Sequence, residues 1–521
     1  MAANLPRELL FLIMEHLRQD SVSLLPYARV CRTWQSVFES FIFSTVTIYS
    51  GNDSNKAHQQ KGISLEEFNR ATSGHNSARR AWIREVRYDI LVPYELLDWT
   101  SVKDDTGYTV DNPIRRANDE AFQAAIASLF TVLSTWDQTH RLALTIGLLE
   151  CKQGLALEPN TWDFAPEAGA YRFDYRDGRT QSVPPYRARL SDPSALVPAP
   201  CVEKLTFANV KNRVEKKIDL FADYKEQDSE EEDPALDPRP RNRWHQVWAE
   251  AVFQIAASCP TITELHLNLH EYVRPDHIEY IQDRRAAVAE GLQKLPTSLR
   301  LFDYAGHYEE PWKDTMPALN VLKTGIDILA TTLRGLTIVL RELRLDRVRL
   351  STDFLWPLDG DSNPIANPSY CWPNLESLIM TYIPPFTPEG KWLTFPDADE
   401  QRQINEVSDW EAEICNSERG YIRRQVLDTE QFHRLFISWG YAARHAPRIT
   451  TMKYHLKDRS KVDFSFTTHG EKANLHWKSR SSYRPDHRVA RAWGFGLDAL
   501  VLDESRSVSV SLPRWPPAES S

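Results

Sequence analysis

His266 and His270 stand four residues apart in ELHLNLH, the spacing that sets two imidazoles on one helical face and makes a zinc site. Leu265, Leu267 and Leu269 alternate with them, however, and that period of two predicts a strand with Glu264, His266, Asn268 and His270 along its polar side. No metal is expected there. The other patterns that carry chemistry are missing: no G-x-S-x-G turn that would raise a serine nucleophile, and no cysteine in a nucleophile signature. His433 and His445 fall on or beside an amphipathic helix among ordinary aromatic neighbours. Nor is there a G-x-x-x-x-G-K or a G-x-G-x-x-G, whose glycines let backbone amides cradle phosphates. With 19 glycines in 521 residues, about half the usual ~7%, such loops are disfavoured generally. The sequence predicts no catalytic residue and no cofactor.

Charge and cysteine usage narrow the partners. A formal net charge of −10 repels a phosphate backbone, so no nucleic acid is expected, and the short basic run KNRVEKK reads as a solvated face. The six cysteines are dispersed without a C-x-x-C pair, as in reducing compartments, which points to the cytoplasm, the nucleus or both. Glu8 and Glu15 interrupt the first apolar run, so no signal peptide is expected. No stretch of 18 apolar residues predicts a membrane span.

The elements that would position a binding surface show in a repeated motif, P-x-[aliphatic]-x-x-[Leu/Met]-x-[apolar]. It occurs as PCVEKLTF from 200, PTITELHL from 260, PNLESLIM from 373 and PRITTMKY from 447. IREVRY from 83 and LRELRL from 340 keep the register without the proline, and LALTI from 142 and LRLFDY from 299 are looser versions. Amphipathic helices precede several copies: Phe122, Ile126, Leu129 and Leu133; Trp244, Val247, Trp248, Ala251 and Ile255; Phe432, Leu435, Phe436 and Trp439. Each unit is a helix, a turn and a short strand, and such units bury their apolar faces only by stacking. This resembles a degenerate leucine-rich repeat, with irregular spacing filled by insertions such as the acidic loop 225–243. The outward strand positions Glu264, His266, Asn268, Glu342, Arg344, Thr451 and Lys453 are candidate substrate-binding residues, on a polar strip that also takes in Lys204, Thr206 and Ser377. From 458 the pattern changes to two alternating strands, a helix and a last strand, SVSVSL, followed by a proline-rich end expected to fray.

At the other end, LPRELLFLIMEHL predicts a helix with Pro6 in its first turn and an apolar stripe through Leu9, Leu10, Ile13, Met14 and Leu17. Two further helices are expected, one through Leu24, Leu25 and Ala28 and one through Val30, Trp34, Val37 and Phe38. Three helices in about 45 residues bury too little surface to stand without a staple. Leu5-Pro6-x-Glu8-Leu9-Leu10, Ile13, Leu17, Leu24 and Val30-Cys31-Arg32-x-Trp34 resemble the F-box family, and the chain as a whole is similar to fungal F-box proteins with irregular leucine-rich-like repeats.

The sequence pattern and that resemblance together give an α/β protein: a three-helix F-box at 1–50, a polar linker at 51–80 with at most one short helix, a repeat domain at 81–457 and a small β/α cap at 458–521. The resemblance further implies that Leu5, Pro6, Leu9, Ile13, Leu24, Val30 and Trp34 contribute to binding a Skp-type adaptor. Through the adaptor come a cullin and a RING subunit, while the repeats hold a protein substrate, so the chain is a non-catalytic subunit of an SCF ubiquitin ligase. Two other readings stay open in the sequence. One is a scaffold that binds the adaptor without the cullin; the other is a hydrolase or metal enzyme on a repeat frame.

Overall fold

In every copy of the repeated motif the three apolar positions are buried. Val202, Leu205 and Phe207 are the first set in the chain to begin with a proline, and Ile449, Met452 and Tyr454 the last. The computed structural model describes residues 5–19, 24, 26–51, 62–93, 113–150, 187–207, 246–269, 278–306, 317–365, 370–399, 402, 424–456, 462–480, 483–503 and 506–517. They form a mixed α/β protein in two compact units, Met1–Ile262 and Thr263–Ser521. The acidic insertion, Leu25, Trp244 and His270 lie outside the described residues.

In the first unit, helices α1 (Arg7–Gln19) and α2 (Arg32–Ile42) flank a single 3-10 turn at Tyr27–Arg29. The second of the three expected helices is thus reduced to that turn. Cys31, whose backbone is extended, separates the turn from α2. A strand, β1 (Thr45–Tyr49), follows directly; its run TVTIY is β-branched and alternating, which favours a pleated strand over a helix. The expected linker is folded from residue 62 onward, as β2 (Ile63–Ser64), α3 (Leu65–Thr72) and a 3-10 helix (Gly74–Trp82). Two features order it. A capping box has Glu67 N–H donating to Ser64 Oγ and Ser64 N–H to the Glu67 carboxylate. Buried Phe68 stacks on Trp136 at 5.8 Å.

Strands β3 (Glu85–Val92), β4 (Leu142–Glu150) and β6 (Val202–Phe207) extend the sheet from β1, all parallel, in the order β6, β4, β3, β1, β2. Helix α4 (Pro113–Leu133) packs on β3, where Tyr88 Oη donates to the Ala125 carbonyl at 3.0 Å. Strands β5 (Arg187–Ala188) and β7 (Gln246–Val247) pair apart from this sheet. Helix α5 is Ala249–Ala257, shorter than the sequence predicts, because Val247 belongs to β7 and Trp248 is the residue that caps the helix.

The second unit carries β8 (Glu264–Asn268), β9 (Leu301–Ala305), β10 (Glu342–Asp346), β11 (Ser377–Ile383) and β14 (Thr451–Leu456) as parallel neighbours in that order. Their register is continuous: Leu265, Phe302, Leu343, Leu378 and Met452 form one buried row, and Leu267, Tyr304, Leu345, Met380 and Tyr454 the next. Aligned rows of large aliphatics are what a motif with a fixed internal spacing dictates when its copies stack. A separate ribbon pairs β12 (Thr394–Pro396) with β13 (Arg424–Leu427).

Helices α6 (Ile278–Leu292), α7 (Ile328–Thr337) and α8 (Thr429–Arg444) belong to the same unit. Phe436 and Trp439 of α8 contact the ring of Phe464 at 4.9 and 5.7 Å. Beyond β14 the sheet turns antiparallel, through β15 (Asp463–His469), β16 (Lys472–Lys478), β18 (Ser507–Leu512) and β17 (Val501–Leu502). Helix α9 (His487–Trp493) approaches α8 so closely that a Cβ on Gly440 would come within 3.0 Å of Ala492. The proline-rich end is docked rather than frayed as far as Pro517: Trp515 lies 4.9 Å from the Phe466 ring, and its N–H reaches the Glu471 carbonyl at 2.6 Å. Among the described residues no helix is long and apolar enough to cross a membrane.

Candidate functional site

Helix α1 is apolar on two faces, and only one of them is used internally. Leu10 and Met14, one turn apart, are buried against Trp34, Val37 and Phe38 of α2, with Leu5, Leu17, Leu24, Tyr27 and Ala28 packed around them. Trp34, Phe38 and Tyr27 form a stack in which the Trp34 and Phe38 rings are 5.3 Å apart and nearly parallel. Leu9 and Leu12 turn away from this core and are 44% and 57% exposed; Val30, past the 3-10 turn, is 53% exposed. Ile13 is half-buried, and Pro6 is exposed while its carbonyl accepts from the N–H groups of Leu9 and Leu10.

Of the residues assigned to adaptor binding, Pro6, Leu9 and Val30 therefore present surface. Trp34 packs the interior at 8% exposure, and Leu5 and Leu24 lie against the same interior. Leu12 was missed. Its signal is the second stripe, Leu9–Leu12–Ile13, that remains once Leu10, Met14 and Leu17 are taken as the inward one. Phe11, which touches Phe41 edge-on at 5.5 Å, extends the exposed surface. Arg79 ties α2 to the rest of the first unit, 3.2 Å from Glu39 and 5.0 Å above the Phe43 ring.

The second candidate surface is the polar face of the second unit's sheet. Glu264, His266 and Asn268 alternate on β8 and are half-exposed, as is Glu342 on β10, with Arg344 more open. Register brings His266, Asp303 and Arg344 side by side across three strands. One nitrogen of His266 lies 3.1 Å from Asp303 Oδ2 and the other 3.4 Å from Glu264 Oε2, while Arg344 Nε donates to Glu342 Oε1 at 2.7 Å. The Glu342 hydrogen bond, helped by Asp303 and Glu264, holds the Arg344 proton more tightly than usual. Asp303, absent from the sequence expectations, joins this group through His266; its signal is that it occupies in LRLFDY the register position of His266 and Arg344.

Thr451 and Lys453 are not part of that group. With Ile379 between Arg344 and Lys453 in the register, His266 and Lys453 are four strand spacings apart, about 19 Å at ~4.8 Å each. Among the described residues no trio of histidine, cysteine and carboxylate side chains is gathered closely enough to hold a metal ion.

The amino-terminal geometry is a small helical core with spare apolar surface. The family model for the F-box-like domain matches residues 2–47. The chain thus carries an F-box-like domain, a module that implies binding of a Skp-type adaptor in an SCF-type ligase. No curated protein and no solved structure matches the chain.

Proposed function

We propose that the chain is the substrate-recognition subunit of an SCF ubiquitin ligase, of the fungal type with irregular leucine-rich-like repeats. The F-box-like domain binds the adaptor, and the helix–strand units hold a target protein. The observation that carries this reading is the outward pair Leu9 and Leu12 on α1, with Val30 also exposed, on a domain whose own core is already filled by Leu10, Met14, Trp34, Val37 and Phe38. Covering three half-exposed aliphatics contributes on the order of 3 kcal/mol, a useful share of a specific interface when the contacts sit at its centre.

The chain itself does no chemistry in this scheme. It holds a lysine-bearing target beside the ubiquitin-charged enzyme, and a bimolecular transfer gains the advantage of proximity. Support for repeat character comes from the continuous buried rows in the second unit, and support for target binding from its polar strand face. Cys31, Cys201, Cys259 and Cys371 are free thiols, in keeping with a site of action in the cytoplasm or nucleus.

Co-expression with a Skp-type adaptor tests the proposal. The wild-type chain should co-purify with adaptor and then with cullin, and Leu9→Glu together with Leu12→Glu should abolish both. Adaptor without cullin supports the scaffold reading instead, and undiminished adaptor binding by the double variant removes the assigned interface.

A further inference from the structure

Four arginines meet at the carboxyl ends of the parallel strands in the second unit. A cavity of about 40 Å³ there is lined by Arg284, Arg285, Arg347 and Arg349 together with Tyr304 and Gly306, and among the described residues no carboxylate lines it. Asp327 holds Arg285 from behind at 2.5 Å, and Asp346 lies 3.5 Å from Arg347. Arg349 sits 4.1 Å above the Phe386 ring and donates to the Leu319 carbonyl at 3.0 Å; Arg284 donates to the Leu269 carbonyl. Gly306 keeps the mouth narrow, since a Cβ there would meet the Arg347 carbonyl at 3.1 Å. Arg347 is the guanidinium that opens to solvent, with its side chain 30% exposed.

A second observation falls at the same rim. Arg347 and Tyr382 have φ of 55° and 49°, the left-handed region that is costly for residues with a side chain. Among the described residues five non-glycine positions do this, and these two are neighbours: Arg347 N–H donates to the Thr381 carbonyl, and its guanidinium lies 5.4 Å from the Tyr382 ring. The register of β11 against β14 slips between Met380 and Ile383, which turns Tyr382 outward, 48% exposed and edge-on to His455. Strain concentrated on two adjacent outward side chains at the strand ends, where open α/β sheets bind ligands, marks a recognition feature.

We propose that this rim takes the side-chain carboxylate of an Asp or Glu on an acidic segment of the target protein, seated on Arg347 at the arginine-lined cavity and flanked by Tyr382. Charge selects the class of group, since four guanidinium side chains line the cavity. Planar guanidinium forks match a carboxylate in two hydrogen bonds. The net charge of −10 repels acidic segments elsewhere, so capture depends on this local arrangement.

The inference rests on the target-binding reading, and its test separates the two. Fluorescein-labelled, amidated deca-glutamate is titrated with the full chain co-expressed with adaptor, and polarisation is read at low and moderate salt. Binding is expected to weaken with salt and to fall at least tenfold in Arg347→Gln, with Arg347→Lys between the two and the melting temperature unchanged. Deca-alanine with a free carboxyl terminus should bind far more weakly, and acetate should displace the peptide at lower concentration than inorganic phosphate does. Absence of binding, equal affinity in Arg347→Gln, equal binding of deca-alanine, or more effective displacement by phosphate would each overturn the assignment. Adaptor co-purification of the same samples scores the ligase reading independently, whichever way the peptide result falls.

Discussion

Leu9 and Leu10 are adjacent in the chain and opposite in role. Leu10 is fully buried between the helices and Leu9 is nearly half exposed, so Leu10→Ala should cost about 2–5 kcal/mol of stability through a core cavity. Leu9→Glu should leave thermal stability within about 0.5 kcal/mol, as surface changes do, and still abolish adaptor co-purification. Chemical denaturation of both variants, run beside the pull-down, checks the contrast. The sequence shows that α1 is amphipathic but not where the inward stripe stops, because Leu9, Leu10, Ile13 and Met14 all fit one broad apolar band. Only packing against α2 divides them.

Asp327 shows the same limit in a charged residue. Its carboxylate accepts from Ala330 N–H at the start of α7, from Ser351 N–H and Oγ, and from Arg285. Nothing in GIDILATT marks it as more than a helix cap. Asp327→Ala should therefore cost well above the ~1 kcal/mol of a lost cap, approaching the ~3–5 kcal/mol of a broken buried pair. Asp327→Asn, which keeps the acceptor oxygen and loses the charge, should fall between. Urea unfolding midpoints of the three proteins test the order.

Among the elements, the repeat strands were the most legible, because a motif with aliphatics at fixed offsets needs no tertiary information to give its own register. Leu340, Leu343 and Leu345 are all buried in a copy that lacks the proline. The short elements stabilised from outside were the least legible: β2, held by its pairing to β1, is not foreseen, and α3, held by Phe68 on Trp136, is allowed only as one short helix of unstated position. The docking of α9 on α8 belongs to the same class, since its contacts join residues 47 to 58 positions apart. Arg488 donates to both Glu430 oxygens, at 2.8 and 2.5 Å, and its Nε to Asp486, which caps α9.

That junction predicts an acid transition. The Arg488 hydrogen bonds lower the Glu430 carboxyl below its ordinary range. Burial pushes Asp486 up, but the Val489 amide, Arg488 and His433 outweigh it and leave that carboxyl lowered as well. Both groups bind protons more weakly folded than unfolded, so their contribution is present above their unfolded values of about 4 and is lost as pH falls through the lower folded ones. α9 should therefore hold to below pH ~4 and then loosen. In Arg488→Ala the carboxyls return toward ordinary values and the loosening should begin at higher pH. Tryptophan emission, sensitive to Trp493 and Trp515 packed 5.9 Å apart, follows the change, and an acid midpoint unmoved by Arg488→Ala would refute the account.

For the whole molecule the question is how a partner at one end registers in stability. The F-box-like domain covers 2–47 of 521 residues, a piece too small to hold together strongly on its own burial. A partner that binds only its folded form stabilises it by RT ln(1 + [L]/Kd), about 2.7 kcal/mol at a hundredfold excess over Kd. Hydrogen exchange reads that energy amide by amide. Protection in α1 and α2 should rise by about a hundredfold with saturating adaptor, while amides of β14, β15 and β16 in the second unit stay as they were. Leu9→Glu with Leu12→Glu should erase the gain without lowering protection in the partner-free protein, because neither side chain belongs to the buried cluster of Leu10, Met14, Trp34, Val37 and Phe38. Protection that rises equally in β14–β16, or that fails to rise in α1 although adaptor co-elutes, would place the interface away from the helical face on which the proposed function depends.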